Sequence, residues 1–379
     1  MCPFLTNMGI GTRLDKEKEK ELFMVDSDSW YDTNQFTLGL IFHNRMRQYK
    51  CLTNDSSMAS AIYVPFYAGL DIGRHLWGFN TSVRDSLSLQ LADWLAEKPE
   101  WKRMWGRDHF FVAGRVCFDF IRQGDHASSW GNKLTNLPHV RNMTMLTIES
   151  TLFGDLNDTA IPYPTYFHPS TDAEVLNWQN KVKEFTRPHL FSFVGAPRPN
   201  QDYSIRSQII NQCLRANNNK WLDCRRNYGS VCESPVEVMV TFLSSTFCLQ
   251  PAGDSLTRRS IFDSILAGCI PVFFHEGSAY KQYIWHLPLP ENDNHNLSKY
   301  SVFIPERQVK DGKVNIEEEL RRIPEEKVAE LREEVVRLIP RITYANPMSR
   351  TTLDMTFQDA FDIAVQGVLD KVESVRRDM

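Results

Sequence analysis

The stretch Ser244–Phe274, SSTFCLQPAGDSLTRRSIFDSILAGCIPVFF, decides the fold. Its first run, Thr246–Leu249, and its last, Ile270–Phe274, are short, apolar and rich in aromatic or branched residues, as strands buried on both faces are. Between them Ile261, Ile265 and Leu266 recur at helical spacing, Asp254 or Ser255 offers an N-cap, and Gly268 stands where a helix would stop. The unit reads as strand, glycine turn, helix and parallel strand. In such a unit the helix N-terminus sits at the carboxyl end of the sheet, where its free N–H groups favour an anion. Gly253 lets a ligand approach the backbone. Arg258 and Arg259, placed in the first turn, oppose the helix dipole unless an anion compensates. Charge-assisted hydrogen bonds of about 1.5–3 kcal/mol each would hold a diphosphate there without a metal. The competing reading is an ordinary βαβ unit whose arginines are solvated.

The chain has 379 residues, 42% hydrophobic and 24% charged, enough to bury two cores. A formal net charge of -4, with no lysine/arginine block, argues against a nucleic-acid binder. The mixed-sign run Arg13–Leu22 reads as a solvated helix face. No run of 18 or more apolar residues occurs and the N-terminus lacks a signal-peptide pattern, so the chain as it stands reads as soluble. Against that, five N-x-Ser/Thr sequons, at Asn54, Asn80, Asn142, Asn157 and Asn296, have a use only in a secretory compartment. The eight cysteines divide the reading in the same way. Cys248 and Cys269 lie in apolar runs and look buried, whereas Cys213, Cys224 and Cys232 cluster in a polar region. Cys224 and Cys232 would pair in an oxidising lumen and remain thiols in the cytosol.

Along the chain, strands and helices alternate. Trp30–Cys51 reads as a helix, Ala61–Tyr67 as a strand, Ser86–Trp101 as a helix broken by Pro99, and His109–Val116 and Met143–Ser150 as strands. The proline-rich Ile161–Ser170 reads as a boundary. His189–Pro199 opens a second α/β unit as a strand entering a Gly-Pro loop, followed by a helix from Ser204 to Ala216. Val302–Glu306 is a further strand, and Pro324–Ile339 and Thr356–Val372 are helices. The expected organisation is an N-terminal α/β domain over 1–165, a linker over 166–188, a second α/β domain over 189–345, and a C-terminal helix over 346–379 packing back on the first domain.

The segment from Ser244 to Pro288, with WYDTNQF, HNRM, YKCLTNDSSMASAIYVPFYAGLD, GRDHFFVAGRV, IPYPTYFHP and FSFVGAPRP, resembles the exostosin-like glycosyltransferases, in their plant xyloglucan galactosyltransferase branch. The resemblance runs from about Trp30 onward. It implies a GT-B fold, two Rossmann-type domains facing a cleft, in a Golgi-lumenal type II membrane enzyme. The implied reaction is transfer of galactose from UDP-galactose to xylose side chains of xyloglucan, with inversion. Donor and acceptor are the implied partners, other Golgi glycosyltransferases among them, with no metal cofactor. Family members begin with a membrane anchor, a stem and a strand ending in an Asp-Leu-Pro-like motif; the chain starts without these, so the expectation is either a truncated N-terminal domain or an N-terminal sheet that lacks a strand.

Carried onto this sequence, Gly253, Asp254, Ser255, Arg258 and Arg259 would hold the diphosphate, and Asp263 would face the ribose hydroxyls. Arg198 and Arg206 are secondary phosphate ligands. Inversion needs a base that takes the acceptor hydroxyl proton. Asp71, Asp119 and Glu149 are the candidates because each lies at or just beyond an expected strand end, with His75 and His126 as further options. Trp77, Trp94, Trp101, Trp105 and Trp130 stack on sugars or, for most of them, fill the core. Two rival readings stand beside this one. Asp26-Ser27-Asp28 mimics the Asp-x-Asp metal site of the other glycosyltransferase fold, and a catalytically silent glycan-binding partner would keep the nucleotide half without a working base.

Overall fold

The structure, a computed structural model, describes residues 2–15, 28–126, 128–152, 157–198, 203–225, 231–288, 298–349 and 355–379. Asp26, Ser27, the sequon asparagine Asn296 and most of the charged run after Arg13 lie outside these residues. The chain divides into two compact units, Met1–Thr12 with Thr33–Pro164 and Tyr344–Met379, and Arg13–Asp32 with Thr165–Thr343. Among the described residues no helix is long and apolar enough to cross a membrane.

The first unit is built on strands β1 (Ile62–Tyr63), β2 (His109–Val112), β3 (Thr144–Thr147) and β4 (Asp158–Ala160), all parallel and in that spatial order. Tyr63 pairs with Phe110, Phe111 with Met145 and Leu146 with Thr159. Every residue of β2 and β3 is buried, which is why their apolar residues follow one another instead of alternating: Phe110, Phe111 and Val112 in β2, Met145 and Leu146 in β3. Helices α1 (Leu38–Met46), α2 (Ala68–His75) and α3 (Thr81–Glu97) follow the 3.6-residue pattern. Ile72, Leu91, Leu95 and Trp101 join Phe111, Phe120 and Met145 in one core. Pro99 ends α3 by opening a separate helix, Pro99–Met104, at a position where its missing N–H costs nothing. The C-terminal helix Ala360–Arg377 begins on a capping box of Asp359 and Asp362, and its Phe361 packs 4.8 Å from the ring of Phe42 on α1. Arg45 reaches Asp359 at 3.1 Å, an ion pair buried on both sides.

The second unit carries a five-stranded parallel sheet. Its strands are β5 (His189–Gly195), β6 (Asn219–Asp223), β7 (Ser245–Gln250), β8 (Ile270–Phe273) and β9 (Val302–Phe303), in the spatial order β9-β8-β7-β5-β6. The chain lays β6 on one side of β5 and then crosses to place β7 on the other, so strand order reverses between β5 and β7. Ligands of open α/β sheets bind outside the carboxyl ends of the strands at such a reversal. Gly268 follows helix Ser260–Leu266 at φ +62, and a Cβ there would come 2.2 Å from Val182, so only glycine fits this stop.

Several sequence expectations change. The expected Trp30–Cys51 helix is a short strand, Tyr31–Asp32, then a turn in which Asn34 Oδ1 accepts from the Phe36 N–H, and only then α1. The 166–188 stretch contains helix α4 (Asp172–Glu184), whose Trp178 is buried and donates to Leu266 O at 2.9 Å, so it is an integral part of the second unit. Arg13–Asp32 also belongs to that unit rather than to the first. Cys224 and Cys232 form a disulfide; Cys248 and Cys269, read only as buried, form another that ties β7 to the residue preceding β8. Cys213 is a buried thiol.

Candidate functional site

At the reversal of the second sheet, the loops after β5 and β7 bring four arginines together. Arg198 donates to Gly253 O and pairs with Asp254 at 2.7 Å. Arg206, just inside helix α5 (Ile205–Arg215), sends Nε to Ala252 O at 3.1 Å. Arg258 donates to Val194 O at 2.8 Å, near the end of β5, and lies 5.6 Å over the Phe193 ring. Arg259 stacks 3.8 Å over Tyr166, with Nε 3.5 Å from Asp263. Gly253 threads between them: a Cβ there would stand 3.0 Å from Arg206 Nη2 and 3.2 Å from Arg258 Cγ. A side chain at this position would push the guanidinium groups apart.

The charge balance favours an anion. Four guanidinium groups face two carboxylates, one of them, Asp254, with its side chain 96% exposed. Burial, and then the positive charge of Arg198, push the Arg206 guanidinium below its ordinary range, the mark of crowded cations. Burial lifts the Asp263 carboxyl to about 6 against the opposing pull of Arg259.

The helix itself starts later than the sequence suggests. It runs Ser260–Leu266 with Arg259 at its N-cap, so Arg258 and Arg259 precede the first turn and Asp254 and Ser255 form a separate turn, Gly253 N donating to Ser255 O at 2.7 Å. The cause is Gln250 at the end of β7, whose amide takes a hydrogen bond from Ser260 Oγ at 2.6 Å and returns one to Ser260 O at 3.2 Å. The positive field therefore comes from the arginines, not from a helix end. Asp263 falls in the first turn, 3% exposed, and faces Arg259 rather than open solvent.

In the first unit the three carboxylates lie beyond the carboxyl ends of successive strands, and their surroundings differ. Asp71, in the first turn of α2, accepts from His75 Nδ1 at 3.1 Å, while its Oδ2 has no hydrogen-bond partner among the described residues. Burial raises its pKa, with His75 pulling the other way. Asp119 is held by Arg115 on one oxygen and by Trp130 Nε1 at 2.7 Å on the other. Glu149 is 2% exposed behind the backbone bridge to Val116. His126 is exposed in a loop.

The tryptophans are mostly not core. Trp101 is buried, but Trp77 is 72% and Trp130 45% exposed, and the two rings meet edge to face at 4.9 Å beside Asp119. Trp94 and Trp105 are exposed as well. Sequence reasoning missed the aromatic rings beneath Arg258 and Arg259; Phe193 lies in a strand, and Tyr166 in the proline-rich stretch read as a boundary. Asp28, from the Asp-Ser-Asp segment, pairs with Arg13.

A parallel α/β unit with a cationic crevice at its strand reversal, joined to a second parallel α/β unit with carboxylates beyond its strand ends, defines a two-unit Rossmann-type protein. The chain belongs to the exostosin GT47 family, whose domain matches residues 11–320. It is 53% identical over 380 residues to the Arabidopsis thaliana protein named Xyloglucan galactosyltransferase MUR3, covering 100% of this chain and 59% of that one. A second Arabidopsis thaliana protein, Probable xyloglucan galactosyltransferase GT12, is 52% identical over 100% of this chain and 72% of its own. Xyloglucan galactosyltransferase XLT2 of the same plant is 41% identical over 97% and 68%. The chain thus spans roughly three fifths to three quarters of the length of these relatives.

Proposed function

We propose that this chain is an inverting glycosyltransferase that moves galactose from UDP-galactose to xylose side chains of xyloglucan, in plant cell-wall synthesis. The observation that carries the reading is the four-arginine crevice at the strand reversal, in a chain similar along its whole length to proteins bearing that name. Arg198, Arg206, Arg258 and Arg259 bind the diphosphate, and Gly253 and Ser255 admit it to the backbone. Asp263 acts through Arg259, fixing the guanidinium on Tyr166. Because guanidinium groups neutralise the leaving diphosphate, the reaction needs no metal.

The first unit supplies acceptor and base. What favours Asp71 is its carboxylate oxygen without a partner and its bond to His75, an arrangement that leaves His75 Nε2 able to take a proton. Asp119 has both oxygens engaged and holds Trp130 instead. The exposed Trp77–Trp130 pair suits the apolar face of a sugar ring. The two disulfides favour the secretory lumen, the Golgi for such a reaction. Incubating the protein with xyloglucan oligosaccharide and a panel of UDP-sugars, then weighing the product, tests the reading. One hexose added from UDP-galactose is expected. Addition from another donor would change the sugar, and UDP binding without transfer would leave a glycan-binding partner.

A further inference from the structure

Four sequons fall among the described residues, and the fold uses their amides in opposite ways. N-glycosylation replaces one hydrogen of the asparagine Nδ2 with a sugar carbon and leaves Oδ1 intact. Asn80 caps α3 through Oδ1 alone, accepting from Val83 N at 3.0 Å and Ser82 Oγ at 2.8 Å, and the residue is exposed. Its Nδ2 is the atom the cap does not use. Asn157 is the reverse: half-buried, it spends Nδ2 on Asn142 O at 2.9 Å and on Thr144 Oγ1 at 3.4 Å. Asn142 spends Nδ2 on Trp105 O at 3.0 Å. The hydroxyl residues of these two sequons, Thr144 and Thr159, are buried in β3 and β4, whereas Ser82 lies on the exposed first turn of α3. Asn54 is exposed, but its sequon carries Asp55, whose carboxylate repels an anionic sugar donor.

We propose that Asn80 is an N-glycan acceptor, and that Asn142 and Asn157 are unmodified in the folded protein. The proposal rests on the lumenal reading above. The donor is a lipid-diphosphate-linked oligosaccharide: Asn80 Nδ2 attacks its anomeric carbon, the bond from that carbon to phosphate oxygen breaks, the lipid diphosphate leaves, and the amide gives up one proton. The cap survives because its acceptor is the untouched carbonyl oxygen. The glycan is attached next to Phe79, which is 47% exposed, and shields apolar surface there.

The experiment expresses the chain behind a cleavable signal in a secretory host, so that it enters the lumen whatever its native address. The secreted, folded fraction is treated with peptide N-glycosidase in heavy-oxygen water and mapped by mass spectrometry. Heavy aspartate is expected at position 80 in most molecules and at neither 142 nor 157. The corresponding mobility shift should vanish in Asn80→Asp, which keeps the cap, and in Ser82→Ala, which keeps Asn80 itself. The deglycosylated wild type carries aspartate at position 80 and should match the thermal midpoint of Asn80→Asp, showing that the variant folds. An unmodified Asn80, or a glycan on Asn142 or Asn157 in the folded fraction, overturns the proposal. Because lumenal entry is imposed, that failure leaves the native location to be judged separately, by where the tagged chain resides in plant cells.

Discussion

Arg258 and Arg259 hold their places by different means, and replacing them should have different costs. Arg258 crosses to the end of β5, while Arg259 lies on Tyr166 and leans on Asp263. Alanine at either position is expected to weaken UDP binding by about 1.5–3 kcal/mol, the worth of a charge-assisted contact, and calorimetry would show it; unchanged affinity in both variants would place the diphosphate elsewhere. Arg259→Lys should also lose affinity, since an ammonium neither forks nor stacks as a guanidinium does. Asp263 adds a pH dependence with a defined sign. Its folded carboxyl titrates near 6 against 3.8 for an ordinary aspartate, so the folded chain holds the proton over that window. Its contribution to stability is therefore largest below 3.8 and is lost as pH rises through about 6. Above 6 the carboxylate also offsets Arg259; below it the guanidinium charge is left for the ligand. Affinity for UDP-galactose, whose diphosphate is doubly esterified and does not titrate near neutrality, should rise several-fold as pH falls through about 6. In Asp263→Asn this rise should disappear. A flat wild-type curve, or the same slope in the variant, would detach Asp263 from the site.

Helix α4 and the residues after it show what an element owes to partners far away in sequence. Arg187, just beyond α4, donates to Phe242 O, Ser245 O and Ala267 O at 2.7–3.1 Å and to Val182 O at 3.4 Å, gathering carbonyls from three helix C-terminal ends and from Ser245 at the start of β7. Arg187→Lys keeps the charge but cannot reach all four, and should destabilise the protein by at least about 3 kcal/mol. Urea unfolding checks this, and a loss under about 1 kcal/mol would mean water replaces the fork. None of this was legible in 166–188, because polar helix faces and prolines look alike whether solvated or docked. Buried parallel strands were legible: β5, β7 and β8 announce themselves as apolar runs, and α5 by Ser204 and its stripe. Strand β6, reading Asn-Lys-Trp-Leu-Asp at the sheet edge and half-buried throughout, has no such signature. The arginines of the crevice were visible as residues, but the true start of the helix was not, since it depends on Gln250 gripping Ser260 from the end of the strand before it. The Cys248–Cys269 disulfide was hidden for the same reason: the two positions meet only once β7 and β8 pair.

At the scale of the whole molecule, the groups proposed for donor binding and those proposed for proton removal lie in different units of the chain. Arg198, Arg206, Arg258 and Arg259 belong to Thr165–Thr343, and Asp71, His75, Trp77 and Trp130 to Thr33–Pro164. Each unit is built around its own parallel sheet. Asp71→Asn preserves size and leaves one acceptor oxygen for His75, yet removes the charge that would stabilise the imidazolium formed on proton removal. It should lower turnover about 10²–10⁴-fold with UDP affinity unchanged, whereas Arg258→Ala should weaken UDP binding and leave the protonation profile of turnover where it was. Adding EDTA should alter neither protein if, as proposed, guanidinium groups supply the positive charge at the diphosphate. The double variant separates the alternatives: independent units make the two free-energy losses add. If Asp71→Asn instead weakens UDP as strongly as Arg258→Ala does, or if manganese restores activity after EDTA, the division of labour between the two sheets fails and the diphosphate must be held by carboxylates through a cation.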